Sequence, residues 1–467
     1  MLMALGSKDR YLCFVEKSKL KRDLTKGPIT PLLAKLTWPL IFGMAGMVVF
    51  NMVDTFWVGK LGVAELAAIG FTFPVIMMIS SLSMGLGIGT ASLISRMIVK
   101  ESRQLIQQYS VDAINLSLVI IIIFVTLGQL TIEPLFKALG VNDTILVLVK
   151  EYMVTWYWGM IFLVIPMVGN NILRATGDTF RPGMTMLAAA IFNMILDPFL
   201  IFGWGPFPQM GLKGAALATV LSRALGMSIT IYILVWKEKL LGLYVPQIKH
   251  MLQTWKKILY VSGPAAMGMI VTPLSMAVIT RLISSFGEES VAGFGVAIRL
   301  ESFGMLIIHA LAGVMTIFAG QNWGKGDKKR ILSGLRITSS FSMIWGVFLF
   351  VLSVFFANQI AGIFSQDPLV VEVTASYMKI LALSYSFLGI MMMSLSMLNG
   401  INKPILAMFT TMTRMFILYV PLAFLLSKWF EINGIFWAAF IANIAAGTLG
   451  AIFLIAKLRV SESPELT

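Results

Sequence analysis

Twelve stretches of twenty or more predominantly apolar residues run through this 467-residue chain. About 20 helical residues cross the hydrocarbon core of a bilayer. Inside that core every backbone N–H and C=O has to find its partner within the protein, so apolar runs of this length span as helices. The runs fall at 34–58, 66–95, 110–132, 150–172, 184–204, 211–236, 258–284, 292–318, 335–357, 375–398, 405–427 and 433–456. Charge supports the same conclusion. Only 12% of the residues are Asp, Glu, Lys or Arg, against about 25% in a soluble domain. The 40 glycines and 32 methionines suit close and adaptable helix packing. The fold class expected is an all-α integral membrane protein of twelve transmembrane helices.

The net charge of +14 does not indicate a nucleic-acid partner, because the basic residues sit in short loops between apolar runs. An even number of spans puts both termini on one face. That face collects most of the Lys and Arg, including KSKLKR at 17–22, KEK at 237–239 and KKR at 328–330. The bias toward one face places both termini in the cytoplasm. Cys13 is the one cysteine, which excludes a disulfide within the chain and a thiolate metal site. The basic first 30 residues do not read as a cleavable signal peptide.

Shifting the sequence by 225 residues superimposes its halves. Pro39 meets Pro264, Gly43 meets Gly268, Met44 meets Met269, Gly62 meets Gly287, Ala67 meets Ala292, Gly70 meets Gly295 and Lys100 meets Lys325. Tyr152-Met153 and Tyr377-Met378 keep the same offset. Each half therefore holds six helices in one orientation, a parallel repeat about an axis along the membrane normal. The expected organisation is a cytoplasmic arm over 1–33, a six-helix bundle over 34–236, a linker over 237–257, a second bundle over 258–456 and a tail over 457–467. Two facing bundles that rock against each other give alternating access to a central cavity.

Ionisable and amide side chains at membrane depth are candidates for function, since an uncompensated charge there costs several kcal/mol. Asp54 lies in VVFNMVDTFWVG, and its repeat mate is Ile279, so packing does not require the charge. In AIFNMILDPFLIFG, Asn193 and Asp197 are four residues apart and share a helix face. Pro198 follows and frees a backbone carbonyl one turn back. A carboxylate, an amide and a loose carbonyl on one face suit a sodium ion or a proton relay. Asn170 and Asn171 close the fourth span, and Thr219 lies in the sixth. Arg299 and Glu301 are two apart, cannot pair with each other and need partners elsewhere. Arg223 and Arg414 are expected toward the cytoplasmic side or in pairs. His250 and His309 do not form a cluster. No G-x-x-x-x-G-K-[ST] phosphate loop is present, and GLGIG at 85–89 reads as a close-packing surface. The chain reads as a non-enzyme with no cofactor, drawing energy from an ion gradient or from none.

PLIFGMAGMVVFNMVDTFWVGKLG, LRATGDTFRP, VAGFGVAIRLESF, MLNGINKP and IFSQDPLVVEVTASYM, in this order on a six-plus-six repeat, resemble the multidrug and toxic compound extrusion (MATE) family over about residues 25–457, most nearly its DinF-type branch. The resemblance implies that Asp54, Asn171, Asn193, Asp197 and Thr219 carry proton or cation coupling, with sodium at Asp54, Asn193, Asp197 and Thr219. It also implies export of bulky amphipathic organic cations from a bacterial cytoplasmic membrane in exchange for protons, sodium ions or both. Asn170, Arg299 and Glu301 stand as further cavity or coupling residues. The seventh helix lacks the glutamate of the NorM-type branch, which argues against a second cation site there. Membrane lipids are the other expected partners, and the chain is expected to work as a monomer. Two competing readings stand beside it: a lipid-linked oligosaccharide flippase of the same superfamily, which the intramembrane arginines keep open, and an ion-conducting channel or receptor.

Overall fold

A computed structural model describes residues 23–138, 140–242 and 247–460. Cys13, the KSKLKR cluster and residues 461–467 lie outside the described residues. Within them the chain is helical, with no strand. The first half contains α1 (Ile29–Gly59), α2 (Val63–Met97), α3 (Arg103–Ala138), α4 (Asp143–Trp158), α5 (Ile161–Ala175), α6 (Phe180–Phe202) and α7 (Gly211–Tyr232), continued by a π-helical turn over Ile233–Lys237. The second half contains α8 (Ile248–Ser284), α9 (Glu288–Gly304), α10 (Leu306–Lys325), α11 (Lys328–Phe364), α12 (Pro368–Leu381) and α13 (Tyr385–Gly400). It closes with α14 (Pro404–Met412), a π-helical turn over Thr413–Tyr419, and α15 (Val420–Val460).

These elements make twelve spans in two six-helix bundles. The fourth span is α4 and α5 together, bent by 44°. The bend falls at Gly159, where a side chain would collide with Val220. The last two spans run through α15, which folds back at Glu431 (φ 51, ψ −136). Helix starts are set by local chemistry. The Asn142 side chain accepts the Ile145 N–H, and Asp327 accepts the Arg330 N–H. Asp367 caps α12 with Pro368 in its first turn. Each satisfies a donor that the first turn leaves free.

Helix boundaries extend beyond the apolar windows. The first span begins at Ile29 rather than at 34. Helix α8 begins at Ile248, so the second half of the expected 237–257 linker is helical, and α15 runs to Val460 inside the expected tail. The reason is amphipathicity. Over 248–260, α8 buries Thr254 and Ile258 while exposing Lys256 and Lys257, a pattern that lowers mean hydropathy without interrupting the helix.

Both termini of the described chain lie on one face of the molecule, called here the terminal face. Close approach of α2 to α8 depends on glycine. A Cβ at Gly85 would stand 2.7 Å from the Ala266 Cβ, and one at Gly89 would stand 2.6 Å from the Ile258 carbonyl oxygen. The GLGIG segment therefore serves packing between the bundles, as its sequence suggests.

Candidate ion-coupling site

In the N-terminal bundle, small residues bring three helices together. Gly43 of α1 faces Gly183 of α6, whose own Cβ would fall 2.3 Å from the Pro39 carbonyl oxygen. Gly46 admits Leu187 of α6, and Gly214 of α7 lies against the Leu200 carbonyl. With α1, α6 and α7 locked in this register, side chains near their far ends converge.

Asp197 is fully buried, Asn193 is 1% exposed and Thr219 is 4% exposed. With its amide set so that both ends bond, Asn193 donates from Nδ2 to Asp197 Oδ2 at 3.0 Å and accepts the Thr219 backbone N–H at 3.1 Å. Pro198 sits inside α6 and removes the donor that would meet the Met194 carbonyl. Asp54 is half-buried and lies within Coulombic reach of Asp197. Its Oδ1 and the Oδ1 of Asp197 are both buried without a hydrogen-bond partner. A buried acceptor left in this way costs about 1–3 kcal/mol, and more when it carries charge.

Arg223 of α7 stands on the same cluster. Its guanidinium lies 5.4 Å from the centre of the Trp156 ring, and it is within Coulombic reach of Asp54 and Tyr152. None of the ion pairs of 4.0 Å or less among the described residues involves Asp54, Asp197 or Arg223. The cluster thus holds two carboxylates and one guanidinium, a net charge of −1 when all are ionised.

The other expected residues divide. Asn170 accepts from the Thr230 hydroxyl at 3.3 Å. Asn171 donates to the Met167 carbonyl of its own helix at 2.8 Å and packs against Gly87 of α2. Neither hydrogen-bonds to Asp54 or Asp197. Arg299 is exposed. Glu301 lies in the other bundle, where its Oε2 accepts from the Tyr377 hydroxyl and, at 3.3 Å, from the Tyr385 hydroxyl. Arg414, in the π-helical turn, is within Coulombic reach of Glu301. His309 is exposed and hydrogen-bonds the Met305 carbonyl one turn back.

Two features escaped the sequence reading. Arg223 belongs to the aspartate cluster and is not confined to the terminal face. Tyr152 and Tyr377, repeat mates at the 225 offset, each stand beside a charged cluster, Tyr152 near Asp54 and Tyr377 on Glu301. The offset itself was the signal that could have marked them.

The MatE family matches this chain twice, over residues 39–199 and 264–425, and the two matches start 225 residues apart, as the internal repeat requires. A Shewanella oneidensis protein named FAD transporter is 36% identical over 92% of this chain and 95% of its own length. The Bacillus subtilis probable multidrug resistance protein YpnP is 26% identical over 88% of this chain and 92% of its own. Among solved structures, the Vibrio cholerae MATE transporter VcmN in its bent form is 28% identical and superimposes with a TM-score of 0.87, covering 92% of this chain and 97% of that one.

Proposed function

Because the chain belongs to the MatE family of membrane transporters, we propose that it is a secondary active exporter whose driving ion acts at Asp54, Asn193, Asp197 and Thr219. One observation carries this reading. Two buried carboxylate oxygens, on Asp54 and Asp197, lack any partner within one cluster of net charge −1. One monovalent cation or one proton brings the cluster to neutrality and satisfies an orphaned oxygen. The donors are all oxygens, from two carboxylates, an amide and a hydroxyl, the set that a hard cation such as sodium prefers. A proton serves the same balance. Neutralisation removes the repulsion between the two aspartates, so the packing of α1 against α6 depends on occupancy. That coupling lets an ion gradient bias one arrangement of the bundles over the other.

For the terminal face, the bias of Lys and Arg supports a cytoplasmic location, with the chain in a bacterial cytoplasmic membrane. Asp197, Asn193 and Thr219 are enclosed within one bundle and do not present themselves to a large solute. They therefore suit ion coupling better than direct capture of an organic cation. No ion pair among the described residues involves Arg96 or Arg174, although both lie where the bundles meet. Uncompensated guanidinium groups there favour a solute carrying phosphate, in line with the name of the Shewanella relative. A flavin dinucleotide is accordingly the first substrate to test, and bulky organic cations such as ethidium are the second.

The test uses purified protein in liposomes loaded with FAD or ethidium, with proton and sodium gradients imposed separately. Transport of either solute that needs one gradient, and is lost in both Asp54→Asn and Asp197→Asn, supports the reading. Transport indifferent to both gradients and both aspartates rejects it.

A further inference from the structure

Hydrogen bonds between the two bundles gather around one helix crossing near the terminal face, apart from the bond that Trp255 of α8 donates to the Asp112 carbonyl of α3 at 2.9 Å. At that crossing, α2 of the N-terminal bundle meets α10 of the C-terminal bundle. Ser95 and Gly320 touch, since a Cβ on Gly320 would stand 1.9 Å from the Ser95 Oγ and 2.9 Å from its Cβ. These two residues are separated by 225 in sequence and are therefore repeat mates. Equivalent positions of a two-fold repeat can touch only where the pseudo-two-fold axis passes between them. The crossing is thus centred on the axis about which the bundles are related.

The bonds on either side follow that symmetry loosely, with acceptors nearly equivalent and donors one helical turn apart. From the C-terminal bundle, Gln321 Nε2 donates to the Ala175 carbonyl at the end of α5 at 2.8 Å. From the N-terminal bundle, the Ser92 hydroxyl donates to the Asn399 carbonyl near the end of α13 at 2.5 Å. Ala175 and Gly400 are repeat mates, so the two acceptors lie one residue apart in register, while the donors Gln321 and Ser92 lie four residues apart. A strap ahead of α1 breaks the symmetry. The Leu24 N–H donates to Gln321 Oε1 at 3.0 Å, and the Leu24 carbonyl accepts from Asn322 at 3.3 Å and from Arg330 Nε at 3.1 Å. Lys325 donates to the Thr25 hydroxyl at 3.1 Å, and Arg330 to the Lys26 carbonyl at 2.9 Å. Leu24, Gln321 and Asn322 are fully buried. The Gln321 amide thus spends one end on the opposite bundle and the other on the strap.

We propose that the Ser95–Gly320 contact, with Gln321 clamping the Leu24 strap, is the gate of the terminal face, which must part in every cycle of alternating access. This rests on the transporter reading, but the gate is independent of which solute is carried. The contact tolerates one small side chain in total. A hydroxymethyl group on α2 fills the space that the missing Cβ on α10 leaves. Any larger sum of side chains wedges the face open. The arrangement is a lock built from repeat mates, so the two residues are interchangeable while their sum is not.

The experiment follows accessibility instead of transport. In a Cys13→Ser background, Ser262→Cys places a thiol on the α8 surface that packs against Gly89 of α2 and is 3% exposed. A membrane-impermeant maleimide is applied from the terminal face of the reconstituted protein. Gly320→Val is expected to raise the labelling rate by about tenfold, and Gln321→Ala by a smaller factor. The exchange Ser95→Gly with Gly320→Ser is expected to return labelling to the parent rate. Gly320→Val labelling at the parent rate in protein that elutes as the parent does, or an exchange variant that labels like Gly320→Val, overturns the proposal. If Gly320→Val does not fold, the exchange variant and Gln321→Ala decide it alone. A second readout, ion-driven FAD transport, separates this proposal from the functional reading. Labelling that follows these expectations without transport leaves the gate standing and removes the exporter.

Discussion

The two bundles descend from one repeat, yet they treat their buried charges differently. In the C-terminal bundle, Glu301 is met by two tyrosine hydroxyls and lies near Arg414, and neither of its oxygens is buried without a partner. In the N-terminal bundle, Asp54 and Asp197 each keep an orphaned buried oxygen. A satisfied carboxylate is a cross-link, worth stability and able to resist change. An unsatisfied pair is a site that another species completes. The contrast is sharpened by Tyr152 and Tyr377, which occupy the same repeat position. Tyr377 donates to Glu301, whereas none of the hydrogen bonds among the described residues links Tyr152 to a carboxylate.

The largest expected effect separates the bundles directly. Asp197→Asn lowers gradient-driven transport at least about 100-fold, whereas Glu301→Gln changes it by no more than about threefold. Initial rates in proteoliposomes measure both, and a reversed order breaks the comparison. Next, Arg223→Gln shifts the cluster from a net charge of −1 to −2. The apparent affinity for the coupling ion then rises by about tenfold and its release slows, which a titration of rate against ion concentration reads. Third, Asn193→Ala removes the donor to Asp197 and the acceptor for Thr219. It costs about 1–3 kcal/mol of thermal stability, and added coupling ion no longer protects the variant against heating as it does the parent. The smallest effect belongs to Tyr377→Phe, which loses about 1 kcal/mol of stability while its ion dependence matches the parent's. An ion dependence altered in Tyr377→Phe would move the coupling site toward the C-terminal bundle.

Much of the fold was legible in the sequence. Twelve apolar runs and the 225 offset describe the two bundles, and Asn193 and Asp197 four residues apart already imply a shared helix face. What the sequence withholds is which faces meet. Hydropathy places Arg223 within a span but does not reveal that α7 turns it toward Trp156 and Asp54, since that depends on Gly214 seating α7 against α6. Arg299 and Glu301 look alike in sequence, two charges in one apolar run. Only the packing of α9 against α12 exposes the first and gives the second to Tyr377. Asn170 and Asn171 read as one pair at a helix end, yet adjacent helical residues point apart, one to Thr230 and the other to its own helix. The terminal-face crossing was half visible. The offset names Ser95 and Gly320 as mates, but their contact depends on where the axis runs.

The central claim is that the coupling ion completes the Asp54–Asp197 cluster. Its most direct test is to measure binding of the ion itself, by sodium-induced and pH-induced changes in intrinsic tryptophan fluorescence or by calorimetry, on purified parent, Asp54→Asn, Asp197→Asn and Glu301→Gln proteins. One saturable ion per chain is expected in the parent and in Glu301→Gln, with no binding in either aspartate variant. Saturable binding that survives in both aspartate variants and disappears in Glu301→Gln would contradict it.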